Sequence, residues 1–259
     1  MKKCPSCGNN VDAAQMCCPA CGWQFSNPTI CATRAGTIVR TGQTLARGVT
    51  RPNWICSEAC QLAVLVRDKS GSMKGQKARD ASAASLELVR VLADPINKDG
   101  FYVACVDFSE TAEIVHVAEK ASALVSHMEE LKPGLLAGST NITDGLVKAN
   151  NIIAGFSPTD SRKPLRPVVV LFSDGGHNEG PRPDSVARAT KTNADLICVA
   201  FGDNADEDDL KSWASPQMFT RCSSGSDLRR FFATVAATMQ ATRARGINAT
   251  QALANLRVS

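Results

Sequence analysis

Leu62-Ala63-Val64-Leu65-Val66-Arg67-Asp68-Lys69-Ser70-Gly71-Ser72 joins an unbroken apolar run to a carboxylate and two hydroxyls at alternate positions. A short run rich in Val and Leu reads as a strand of a parallel sheet buried on both faces. A second run, Val168-Val169-Val170-Leu171-Phe172, is followed in the same way by Ser173-Asp174-Gly175, and Gly138-Ser139-Thr140 stands between the two. In parallel sheets ligands collect outside the carboxyl ends of the strands, beside a topological switch point. Asp68 and Asp174 each fall just past such an end.

Asp68, Ser70, Ser72, Thr140 and Asp174 offer only oxygen atoms. Mg²⁺ takes six oxygens in near-octahedral array, gives up its waters reluctantly and commonly uses one or two protein carboxylates. These five positions suit Mg²⁺ or Mn²⁺. Because three of the five are neutral hydroxyls, the ion would keep part of its charge and a position for an outside oxygen. Metal-dependent capture of an acidic partner side chain is therefore expected, in preference to bond-breaking. The competing reading is that Asp and Ser serve only as loop caps, since both are common turn formers.

The order Asp68-x-Ser70-x-Ser72, Thr140, Asp174 resembles the metal-ion-dependent adhesion site of a von Willebrand factor A domain, over roughly Ala59 to Ala241. The resemblance implies that Ser70, Ser72 and Thr140 contact the metal, while Asp68 and Asp174 act directly or through water. It also implies a three-layer, Rossmann-like α/β fold with a mainly parallel sheet. Arg67 and Lys69 depart from the family's usual small or apolar residues. They are expected to make the rim of the site more positive and to favour acidic partners.

Cys4-Pro5-Ser6-Cys7-Gly8 and Cys18-Pro19-Ala20-Cys21-Gly22 carry the second signal. Each knuckle places two thiolates on a tight turn: Pro fixes φ, and Gly after the second Cys permits φ > 0. Cys4, Cys7, Cys18 and Cys21 are expected to form a closed structural Zn²⁺ site, resembling a short zinc ribbon. So small a segment cannot bury a self-sufficient core, and zinc would supply folding free energy on the order of 10–16 kcal/mol. A disulfide or redox pair is the weaker alternative, because no signal peptide precedes the cysteines. Cys17 is read as a spare thiol. A further site drawing on Cys31, Cys56 and Cys60 lacks an obvious fourth ligand.

The chain has 259 residues, 44% of them hydrophobic, with 11 cysteines and a formal net charge of +4. No apolar run approaches the ~20 residues of a membrane span. A cytoplasmic protein is expected. Between Asp12 and Glu58 there is no acidic residue, and Arg34, Arg40, Arg47 and Arg51 punctuate the stretch. Such a linker could touch nucleic acid phosphates, but scattered arginines without interleaved aromatics read better as solvated chain.

The expected organisation is a zinc ribbon at 1–25, a linker at 26–58, the A domain at 59–241 and a tail at 242–259. Strands are expected at Leu62 to Arg67, Phe101 to Phe108, Glu113 to Val117, Val168 to Phe172, Asp195 to Phe201 and Met218 to Thr220. Of these, Glu113 to Val117 is placed antiparallel at an edge, because a hairpin-length gap precedes it. Helices are expected at Gly75 to Leu92, Ala121 to Leu131, Ile142 to Ile153, Asp184 to Thr192, Glu207 to Trp213 and Asp227 to Thr242. The tail has few large apolar residues and is read as ordering only on a partner. Asp203, Asp206, Glu207, Asp208 and Asp209 lack the central Gly of a calcium loop and are read as capping the helix from Glu207. His177 is a lone loop histidine near the pocket.

Within the family, Asp68-Lys69-Ser70-Gly71-Ser72-Met73 and Leu228-Arg229-Arg230-Phe231-Phe232 resemble the bacterial TerY-like proteins of tellurium resistance. That resemblance implies a noncatalytic scaffold in a stress-response or phage-defence system, with a PP2C-type phosphatase and a Ser/Thr kinase as partners. The alternatives are an adaptor of an AAA+ ATPase, or a nucleic-acid-associated scaffold using the zinc ribbon and basic linker. A metal-dependent hydrolase is disfavoured by the lack of a second carboxylate cluster and a general base.

Overall fold

The computed structural model describes residues 2–3, 10–11, 59–134, 138–202 and 205–256. The chain divides into two compact units, 1–49 and 50–259. Of the first unit, strands β1 (Lys2–Lys3) and β2 (Asn10–Val11) are described, and they pair antiparallel. Cys4, Cys7, Cys18 and Cys21, with Cys17, Cys31, Cys56, the whole 26–58 segment with its arginines, and Asp203, lie outside the described residues.

In the second unit, β3 (Ala59–Asp68), β4 (Phe101–Phe108), β5 (Ala112–Lys120), β6 (Lys163–Pro164), β7 (Val168–Ser173), β8 (Asp195–Phe201) and β9 (Phe219–Cys222) form one sheet. Its order is β5-β4-β3-β7-β8-β9, with β6 added beside the start of β3. All pairings are parallel except β4 with β5. The antiparallel edge expected from the short gap after Phe108 is thus present, and it runs on to Lys120.

Strand side chains alternate between two cores. Ala63, Leu65, Val168, Val170 and Phe172 face α1 (Gln76–Ala93) and α6 (Gly225–Arg243). Leu62, Val64, Val66, Val169 and Leu171 face α3 (Ile142–Gly155), α4 (Asp184–Asn193) and α5 (Glu207–Trp213). Both faces are therefore covered, which is why these strands are apolar throughout. Each buried Val or Leu contributes about 1.5–3 kcal/mol. From β3 the chain crosses to β4 on one side, whereas β7 takes the other side. The switch point lies between the ends of β3 and β7.

Two expectations are corrected. The helix read over Ala121 to Leu131 stops after α2 (Ala121–Leu124). Beyond it, tertiary partners take the backbone: Glu129 N–H donates to His116, Glu129 C=O accepts from Arg67, and Leu131 N–H donates to Ser82. The tail also orders on its own domain. Helix α7 (Thr250–Ala254) buries Leu253, and Ala249 just before it, in the α1/α6 core, while Thr250 Oγ1 donates to Asp195 Oδ2 at 2.7 Å.

Candidate metal centre

Asp68 ends β3 with no solvent exposure. Its Oδ1 accepts from Ser70 N–H at 2.8 Å and its Oδ2 from the Ser173 hydroxyl at 2.5 Å. Burial pushes the Asp68 carboxyl up to about 6, against the opposing pull of those hydrogen bonds. A single 3₁₀ turn, Gly71–Met73, follows and plugs Met73 into the core. That turn brings Ser70 Oγ and Ser72 Oγ to 2.9 Å apart, and Ser72 Oγ donates to Asp174 Oδ1 at 2.6 Å. Since each hydroxyl has one proton, Ser70 must be the donor to Ser72. Asp174 is fully buried, just past the end of β7.

Thr140 is tied through its backbone to Asn178, in the loop that follows Asp174. Its N–H donates to Asn178 Oδ1 at 2.7 Å, and Asn178 N–H returns a bond to Thr140 C=O at 3.1 Å. Asn141 then caps α3, accepting from Asp144 N–H at 3.1 Å. Gly145 lets α3 lie close on the sheet, for a Cβ there would stand 3.0 Å from Val66 Cγ1 and 3.1 Å from Phe108 Cδ1. The segment carrying Thr140 is thereby fixed to the segment after Asp174.

The donor set suits a hard divalent cation. An octahedral ion with oxygens at about 2.0–2.1 Å needs neighbouring oxygens about 2.8–3.0 Å apart. Ser70 Oγ and Ser72 Oγ have that spacing, next to two buried carboxylates. Three residues absent from the sequence-derived set complete the neighbourhood. Ser173 orients Asp68, Asn178 staples Thr140, and Lys77 Nζ donates to Asp174 Oδ2 at 2.5 Å. Ser173 was adjacent to a residue already singled out; Lys77 and Asn178 carry no signal of their own in a lone sequence.

The expected positive rim from Arg67 and Lys69 is overturned. Arg67 is fully buried, with Nε and Nη2 on the two carboxylate oxygens of Asp107 at 2.6 and 3.0 Å and Nη1 on Glu129 C=O at 3.1 Å. The Lys69 ammonium is paired with Glu113.

Other expected features settle simply. Asp206 caps α5, accepting from Asp209 N–H at 3.1 Å, with Glu207, Asp208 and Asp209 in the first turn. Cys60, Cys105 and Cys198 are buried on strands, where burial pushes their thiols up. Cys60 therefore serves the core. His177 rests edge-on against Trp213, ring centroids 6.3 Å apart. His116, Glu119 and His127 also converge, but Glu129 N–H donates to His116 Nε2 at 3.2 Å. That bond places the ring proton on Nδ1, the nitrogen that faces Glu119. Among the described residues, no helix is long and apolar enough to cross a membrane.

Comparison with known proteins agrees with the fold. Human inter-alpha-trypsin inhibitor heavy chain H4 is 29% identical over 147 residues, 54% of this chain and 15% of that protein. Proximal thread matrix protein 1 of the mussel byssus, solved with a zinc-occupied adhesion motif, superposes with a TM-score of 0.57 at 19% identity, over 69% of this chain and 48% of that one. A von Willebrand factor type A protein from Catenulispora acidiphila gives 0.55 at 19% identity, over 71% and 43%. The chain thus spans less than half the length of these relatives, and at such identity the solved structures speak for the fold alone. The von Willebrand factor type A domain model matches residues 63–234, and the chain belongs to that family.

Proposed function

We propose that this domain captures an acidic side chain of a protein partner through a divalent ion, Mg²⁺ or Mn²⁺. Family members commonly act as metal-dependent protein-interaction modules and are typically not enzymes. The observation that carries the proposal is the row Ser70 Oγ, Ser72 Oγ, Asp174 Oδ1 beside buried Asp68, at the switch point of the sheet. Ser70, Ser72 and Thr140 would hold the ion through neutral oxygens, and Asp68 and Asp174 would supply the charge. The ion supplies Lewis acidity toward a carboxylate oxygen; the chain's work is to fix the hydroxyls. Asp68 does this by holding Ser70 N–H, and Ser173 by holding Asp68.

In the finer reading, the partner set is that of a bacterial stress-response or phage-defence system, a PP2C-type phosphatase and a Ser/Thr kinase. It rests on the TerY-like motifs. An AAA+ ATPase adaptor is the alternative within the same mode of binding. Zn²⁺ on Cys4, Cys7, Cys18 and Cys21 would add a second docking surface; a nucleic-acid scaffold would use that module with the basic linker.

The test is partner capture from cell extract by wild type and a Ser70→Ala/Ser72→Ala variant, each in Mg²⁺ and in EDTA. Partners retained only by wild type in Mg²⁺ support the proposal. Partners retained in all four arms contradict it.

A further inference from the structure

Lys77 stands in the first turn of α1, a helix with no acidic residue in that turn and no side-chain cap on its N-cap residue, Gly75. A helix N-terminus favours negative charge, so a lysine there is placed against the macrodipole. Its compensation lies outside the helix. Lys77 Nζ is 2.5 Å from Asp174 Oδ2, and Asp174 has no exposure, whereas the Lys77 side chain is 33% exposed. The stem reaches the site past Gly202, where a Cβ would lie 3.5 Å from Lys77 Cε.

The charge balance of the site explains the arrangement. Asp68 and Asp174 are both buried, and the charge of Asp174 adds to the upward push on the Asp68 carboxyl. Two buried carboxylates this near each other need a cation. Lys77 supplies one, on the same carboxylate that also accepts from Ser72.

We infer that Lys77 is an internal counter-cation that keeps the domain folded without a divalent ion and must leave Asp174 Oδ2 when one enters. The inference rests on the reading of Ser70, Ser72 and Asp174 as part of an ion site. Its consequence follows from linkage: whatever Lys77 contributes to the ion-free form is subtracted from ion affinity. Lys77 thereby sets the affinity low, so that ion and partner carboxylate bind together. A flexible four-carbon stem, already a third exposed, can turn the ammonium outward to the rim, where it favours an incoming anion.

The experiment is calorimetric titration of the full chain with Mg²⁺ alone, for wild type, Lys77→Met, Lys77→Arg and Ser70→Ala/Ser72→Ala, with melting curves in Mg²⁺ and in EDTA. Lys77→Met is expected to bind Mg²⁺ roughly tenfold tighter. It should melt earlier than wild type in EDTA and recover in Mg²⁺, and Lys77→Arg should stay near wild type in both. Equal or weaker Mg²⁺ binding by Lys77→Met overturns the inference while leaving the ion site standing. Undiminished binding by Ser70→Ala/Ser72→Ala, or no Mg²⁺ binding by any form, overturns the ion site and this inference with it. If Lys77→Met stays unfolded even in Mg²⁺, Lys77→Gln, which keeps a donor and loses the charge, is judged by the same affinity criterion.

Discussion

Arg67 and Asp107 grip each other through two parallel hydrogen bonds of 2.6 and 3.0 Å, both side chains buried, one residue before the aspartate that opens the metal loop. They are lateral neighbours on parallel strands, Arg67 of β3 opposite Asp107 of β4. Removing one partner strands a buried charge. Asp107→Ala is expected to cost about 3–5 kcal/mol in urea unfolding. Lys69→Ala, which opens the more exposed pair with Glu113, should cost at most about 1 kcal/mol. Equal effects would contradict the assignment of Arg67 to the core.

Asp68 gives the ion-free domain a pH dependence of definite sign. Its carboxyl, raised to about 6 by burial, binds a proton more readily folded than unfolded. The stability this adds is full below the ordinary carboxylate range and lost as pH rises through about 6. A divalent ion selects the ionised form, so the gain in melting temperature on adding Mg²⁺ should grow between about pH 5 and about pH 7.5. A gain that is flat or shrinks over that interval counts against Asp68 as part of the site.

Arg243 anchors the end of α6 under the sheet. Its guanidinium donates to Ala59 C=O at 2.6 Å and also to Asn97 C=O, and it lies over the Phe101 ring, 5.1 Å from the centroid. A Cβ on Gly100 would stand 2.0 Å from Nη1. Gly100→Ala should therefore displace a buried guanidinium and cost about 2–4 kcal/mol in denaturant unfolding, in place of the few tenths usual for a surface change.

The tail is part of the domain's core. Leu253 is 2% exposed. Leu253→Ala should cost about 2–5 kcal/mol without changing Mg²⁺ affinity. Loss of Mg²⁺ binding in a variant that remains folded would tie the tail to the site, contrary to its position in the core.

The apolar runs made the fold legible. Phe101 to Phe108, Asp195 to Phe201 and Glu207 to Trp213 begin and end where the sequence places them, because each is bounded by strong local signals. Long-range hydrogen bonds carry what local pattern does not: Arg67 and His116 end the run after α2, while Asp195, accepting from Thr250, and Arg166 N–H, donating to Asn248, hold the tail. In the site, Asp68, Ser70, Ser72 and Asp174 were legible as a spaced set of oxygens, and the structure joins them in one hydrogen-bonded row. Thr140 is outside that row, and its backbone is held by Asn178, a residue 38 positions away. The Arg67 guanidinium turns into the core and not to the rim, because Asp107 stands opposite it on the neighbouring strand, a pairing no local pattern declares.

If these side chains hold a divalent ion, Mn²⁺ reports it directly. Crystals of the full chain soaked in Mn²⁺ should give an anomalous peak bonded to Ser70 Oγ and Ser72 Oγ at the ends of β3 and β7, with the peak lost in Ser70→Ala/Ser72→Ala. No peak there, or one that survives the double substitution, would mean that these hydroxyls do not hold the ion.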